Sequence, residues 1–174
     1  MVISDTLKYV FIEVPKTASS STRDWLTRNY QGKMHDWFHS TSIPEQAVDY
    51  HTFCVVRDPV DRAISLWSWR ESLGTDPNEF VQKWLGEGGW RDYPHSKLQA
   101  MFIPQTEFLA GVRLDQVFKF GQVPGCYAEL PFVESVTGFG HKNPGMKRAD
   151  IALSDESLAA VRQWDPEYSS WDWS

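Results

Sequence analysis

Two stretches of this sequence bring together residue types suited to holding oxyanions. In the first, Pro15 is followed by Lys16, Thr17, Ala18, Ser19, Ser20, Ser21 and Thr22, a lysine ahead of small and hydroxylated residues. If a helix begins there, its unpaired N–H groups and the positive end of its dipole favour a phosphate or sulfate. Lys16 adds a full charge, and the hydroxyls of Thr17 and residues 19–22 add donors. The second stretch, Cys-Val-Val-Arg-Asp-Pro-Val-Asp-Arg-Ala-Ile-Ser at 54–65, carries Arg57 and Ser65. Arg57 offers planar, paired donors matched to a phosphate, and Ser65 offers a hydroxyl from the exposed side of a helix. Each stretch also has a plain structural reading: a serine-rich helix start with a solvated lysine, and an arginine paired with Asp58 or Asp61 beside a cap. The first is not a Walker A loop, because GxxxxGK[ST] is absent and the lysine precedes the turn, which argues against an ordinary ATPase.

The elements around these stretches put each at a strand-to-helix junction. Residues 9–14 are β-branched and aromatic and end at Pro15, which predicts a buried strand; 20–30 have helical spacing around Trp25 and Leu26 and close at Gly32. The order repeats with an apolar strand at 52–56. Asp58-Pro59-Val60-Asp61 then gives an N-cap, a Pro at the first helical position and an acid at the third, predicting a helix to about residue 73. Asp76-Pro77-Asn78-Glu79 starts another helix, 117–120 read as a strand, and 126–137 and 154–164 read as amphipathic helices. Strands alternating with helices imply an α/β fold with a central parallel sheet flanked by helices. Ligands of such sheets sit beyond the carboxyl ends of the strands, so both junctions are expected to face one crevice.

Together, the Lys16 turn after the first strand and the Val-Val-Arg-Asp-Pro-x-x-Arg-x-x-Ser junction resemble the two cofactor-binding motifs of sulfotransferases. The likeness is greatest to carbohydrate sulfotransferases of the heparan-sulfate and uronyl 2-O type and their bacterial relatives. The resemblance implies a P-loop-like three-layer fold and the cofactor 3′-phosphoadenosine 5′-phosphosulfate (PAPS), which leaves as 3′,5′-ADP. In that family the first motif grips the 5′-phosphosulfate and the second the 3′-phosphate. Carried over, Lys16, Thr17, Ala18, Ser19, Ser20, Ser21 and Thr22 form the first, and Arg57 with Ser65 the second. More loosely, 111–120 are similar to a later strand of the family, 140–145 (Gly-His-Lys-Asn-Pro-Gly) to a substrate-side loop, and the segment from Ser154 to its closing helix.

Sulfuryl transfer to a hydroxyl implies in-line attack on sulfur, with charge growing on the departing phosphate oxygen and a base removing the acceptor's proton. Lys16 is the expected stabiliser of that charge. Histidine is the natural base near neutral pH. His39, ahead of small hydroxylated residues between the two motifs, resembles the family position, and His35 is its rival. His51 and His95 read as structural or surface groups. His141, Lys142 and Asn143 are expected on the acceptor side, with Gln105 as a further substrate contact. Lys147 and Arg148 close over the 3′-phosphate or meet an anionic acceptor; a solvated basic patch is the plainer reading.

The whole chain agrees with a small enzyme. Its 174 residues fit one sulfotransferase-like domain, 1–174, large enough for a core without disulfides or a structural metal. A formal charge of −6 excludes a broad basic face for nucleic acid or a membrane surface. Cys54 and Cys126 form no CxxC or Cys/His cluster, so both are expected as core thiols in a reducing compartment, with no metal site. No signal peptide or membrane-spanning apolar run is evident, and a soluble, cytoplasmic protein is expected. Nine tryptophans invite a sugar-stacking role, though core packing is the default for large aromatics. Two other functions compete with a PAPS enzyme acting on a carbohydrate hydroxyl. One is a nucleotide or small-molecule kinase, against which the missing Gly-rich loop counts; the other is a non-catalytic anion- or sugar-binding module on the same fold.

Overall fold

The computed structural model describes residues 1–36, 39–70, 76–92, 99–140 and 151–173. They fall into two compact units, Met1–Val56 with Gly111–Asn143, and Arg57–Ala110 with Pro144–Ser174.

The first unit is built on a five-stranded sheet. Its strands are β1 (Val2–Ser4), β2 (Tyr9–Ile12), β3 (Lys33–Met34), β4 (His51–Val56) and β5 (Gln116–Lys119), in the spatial order β3-β1-β2-β4-β5. β2, β4 and β5 run parallel, with Ile12 beside Cys54 and Val56 beside Lys119. The expected all-parallel sheet is corrected at one side: β1 and β3 are antiparallel additions, because a tight hairpin through Ser4 and Tyr9 folds β1 directly back on β2. Every side chain of β2 is buried, as a central parallel strand requires. Helix α1 (Ser19–Asn29) follows β2 and buries Trp25 and Leu26 among Tyr9, Phe11, Phe53, Val55, Phe118 and Tyr127. Trp25 stacks on Tyr127 at 5.1 Å and donates its indole N–H to the Thr137 carbonyl.

Residues 126–137 do not make the expected amphipathic helix. A 3₁₀ segment, Gly125–Glu129, stops before Pro131, whose ring has no N–H to give and would clash with the carbonyl four residues back. Phe132, Val133 and Val136 then pack on the core from irregular chain. Tyr127 remains well used. Its hydroxyl lies 2.6 Å from that of Thr22, both buried. Tyr127→Phe leaves the Thr22 hydroxyl without that partner, so we expect a loss of about 1–3 kcal/mol of stability, read by urea denaturation.

The second unit is helical. Helix α2 (Pro59–Trp69) begins where expected, capped by Asp58, whose carboxylate accepts from the N–H groups of Val60 and Asp61. Helix α3 (Pro77–Phe80) is capped in the same way by Asp76 and runs on as a π-helical turn, Val81–Gly86. Then come α4 (Gln105–Phe108), α5 (Asp155–Trp164), started by the Ser154 hydroxyl, and α6 (Pro166–Ser169). Their core joins Leu66, Phe80, Leu85, Phe102, Val161 and Trp164. Among the described tryptophans only Trp69 is exposed, so packing accounts for the rest. No helix among the described residues is long and apolar enough to cross a membrane.

Candidate functional site

The Lys16 turn leaves the carboxyl end of β2 and enters α1. Lys16 and Ala18 both hold left-handed backbone, at φ 67° and 63°, without being glycine. Each such residue costs about 1–2 kcal/mol, and strain of this kind persists where the surroundings hold it in place. Alternating handedness also turns successive N–H groups toward one side, the geometry of an anion-binding nest. The residue at the N-cap position of α1 is Ala18, which has no side-chain acceptor, and the first turn carries no acid. The positive end of α1 is therefore not neutralised by its own residues.

The expected hydroxyl set divides in two. Thr17 is fully buried and donates its hydroxyl to the Val14 carbonyl at 2.8 Å, and the Thr22 hydroxyl is shared with Tyr127. Both point into the protein and shape the turn from behind. In the first helical turn Ser19 and Ser21 are also buried, each 6% exposed, and Ser20 alone is half-buried.

His39 is tied to the same strand end. Its Nδ1–H donates to the Glu13 carbonyl at 2.6 Å, three residues before Lys16. A carbonyl only accepts, so this bond places the proton on Nδ1 and leaves the Nε2 lone pair as the basic position. Burial draws the His39 pKa below its ordinary value; the Glu13 carbonyl and carboxylate act upward, and the Met1 amino group and Arg23 act downward. Glu13 is itself fully buried, with Arg23 of α1 at 2.6 Å from its carboxylate, an ion pair that fixes α1 against the end of β2. His35 sits beside edge strand β3, its main-chain N–H bonded to the Met1 carbonyl, two strands away from β2.

The second junction starts at the peptide bond after Val56. β2 and β4 are parallel neighbours, so both strands finish at the same edge of the sheet. Here the helix start is closed: the Asp58 carboxylate and Pro59 occupy the first turn of α2. The side chain that follows β4 at this junction is the half-buried Arg57 guanidinium. Burial lowers its pKa from the ordinary value, while Asp61 and Asp58 oppose the shift. Ser65 is not on an exposed face of α2. It is 5% exposed, because the continuous run from Arg62 to Leu66 is buried.

Gln105 has a different task from the expected substrate contact. It is fully buried, and its amide bonds the main chain of Arg57 and the carboxylate of Asp165. His141, Lys142, Asn143, Lys147 and Arg148, together with His95, lie outside the described residues. Sequence reasoning gave no role to Glu13 or Asp165, and included Arg62 in the second motif without assigning it one; all three are fully buried charges.

The chain thus combines a mixed sheet whose β2, β4 and β5 run parallel with a lysine-bearing turn at the start of α1. Residues 1–114 match the sequence model of the sulfotransferase family, about two thirds of the chain, and the protein belongs to that family of sulfuryl-transferring enzymes. No curated protein and no solved structure matches the chain.

Proposed function

We propose that this chain is a PAPS-dependent sulfotransferase acting on a hydroxyl, with a carbohydrate as the acceptor class. The observation that carries the reading is the Lys16 turn, with left-handed backbone at Lys16 and Ala18, at a helix start that has no side-chain cap and no acid in its first turn. Its donors fit a sulfate or phosphate group. The parallel β2-β4-β5 core with strand-turn-helix junctions supports a P-loop-like three-layer fold, and the family match runs through residues of both compact units. The carbohydrate acceptor rests on the likeness of the two motifs to the 2-O-sulfotransferase type. Two buried free thiols, Cys54 and Cys126, fit a reducing, cytoplasmic setting.

When bound, PAPS supplies the sulfuryl group and a phosphate leaving group. Residues 16–22 hold the phosphosulfate through main-chain N–H groups, the Lys16 ammonium and the first-turn serines. Lys16 would neutralise the charge on the departing phosphate oxygen. His39 would remove the acceptor's proton at Nε2, freeing the acceptor oxygen to take the sulfuryl group. Arg57 takes the 3′-phosphate; Lys147 and Arg148 are assigned there as well, and His141, Lys142 and Asn143 to the acceptor.

Titration calorimetry tests the reading. The protein should bind 3′,5′-ADP well ahead of ADP or ATP, and equal affinity for ADP would overturn the proposal in favour of a kinase-like site. Tight binding of 3′,5′-ADP without any transfer would favour a non-catalytic module. Arg57→Ala removes charge-assisted bonds worth about 1.5–3 kcal/mol, so the preference for a 3′-phosphate should fall roughly 10- to 100-fold.

A further inference from the structure

Arg57 directly follows β4, whose ladder with β5 ends at Val56 and Lys119. Gln105 bonds the Arg57 main chain there. Its Oε1 accepts the Arg57 N–H at 2.8 Å, and its amide N–H group donates to the Arg57 carbonyl at 2.9 Å. One side-chain amide thus fixes both peptide groups flanking the Arg57 Cα.

The amide is itself oriented by Asp165. Oδ2 of Asp165 accepts from the Gln105 side chain at 2.9 Å and from its main-chain N–H at 3.0 Å. Oδ1 accepts the Thr106 N–H and hydroxyl, so this carboxylate caps α4 from a distant part of the chain. With the carboxylate on one side, only one orientation of the Gln105 amide is possible, because a flip would set oxygen against oxygen. Arg62 backs the carboxylate at 4.0 Å, donates to the carbonyls of Met101 and Ile103, and lies over the Trp164 ring. Asp165, Gln105 and Arg62 are all fully buried. This buried carboxylate does more than cap a one-turn helix, because its two bonds from Gln105 also fix the group that holds Arg57.

We infer that Gln105 and Asp165 are positioning residues for Arg57, setting the direction in which its guanidinium leaves the chain and hence the discrimination for a 3′-phosphate. The inference rests on the reading of Arg57 given above and extends it beyond the family match, which ends at residue 114. A role confined to folding would weaken all ligands together; a positioning role moves one ratio selectively.

The test is the affinity ratio of 3′,5′-ADP to AMP by calorimetry, with thermal melting to confirm the fold. In Gln105→Ala the ratio should fall about ten-fold while AMP binding holds. Asp165→Asn, which preserves volume but sets an amide N–H group or a neutral oxygen against the Gln105 amide, should lower it roughly three- to ten-fold. If Gln105→Ala does not melt cooperatively, Asp165→Asn decides. Folded variants that keep the wild-type ratio overturn the inference. A wild-type protein indifferent to the 3′-phosphate overturns the reading of Arg57 and the inference with it, so the wild-type arm tells the two failures apart.

Discussion

Replacing Lys16 by alanine should lower kcat for sulfuryl transfer by roughly 100-fold or more while changing the affinity for 3′,5′-ADP only several-fold. The asymmetry follows from where the lysine stands. Thr17, Ala18 and the start of α1 hold the cradle through the main chain, with Thr17 anchored to the Val14 carbonyl and Thr22 to Tyr127, so ground-state binding survives loss of the side chain. In the proposed reaction the ammonium should matter most when charge collects on the departing oxygen, and a preorganised donor at such a position is commonly worth about 3 kcal/mol. The measurement is a steady-state comparison of kcat and KM for PAPS with calorimetry on the product nucleotide. Equal losses in kcat and nucleotide affinity would mean that Lys16 only binds.

His39→Ala should cost about 10²- to 10⁴-fold in kcat, the range for losing a positioned general base. Its pH dependence gives a second check. A base must be neutral to act, and burial lowers the His39 pKa below the ordinary 6.5. The acid limb of the kcat/KM profile should therefore fall below pH 6.5, with activity rising as pH increases through it and level by neutral pH. His39→Ala removes that limb along with most of the rate. His35→Ala, beside edge strand β3, should retain both. An acid limb that survives in His39→Ala and vanishes in His35→Ala would reverse the assignment.

The parts of the fold that could be read from sequence are those whose signals are local. Asp58, Asp76 and Ser154 each accept main-chain N–H groups at the start of their own helices, so α2, α3 and α5 begin where caps and prolines indicated. The apolar runs at 9–14 and 52–56 gave β2 and β4 because strands covered on both faces need uninterrupted hydrophobic residues. β1 and β3, at three and two residues, are too short to show any period. The helix expected over 126–137 overlooked Pro131, a local signal that was present.

The site divides along the same line. The Lys16 turn could be located from sequence because Pro15 follows the apolar run of β2 and the helix begins within a few residues of it. The inward turn of Thr22 could not, since its partner Tyr127 lies 105 residues away. Asp165 shows the limit most clearly. It precedes Pro166 just as Asp58 precedes Pro59 and Asp76 precedes Pro77, yet its side chain makes no capping bond to its own helix. The carboxylate caps α4 instead, 60 residues earlier in the chain, and thereby orients Gln105. The same two letters specify a local cap or a long-range support, and only packing distinguishes them.

The most direct test follows the transferred group itself, with PAPS labelled on sulfur and ATP labelled on its terminal phosphate offered in parallel with a panel of sugars and simple alcohols. The account predicts that label passes from PAPS to at least one hydroxyl acceptor, depends on Lys16, and does not pass from ATP. Transfer from ATP with none from PAPS would contradict it.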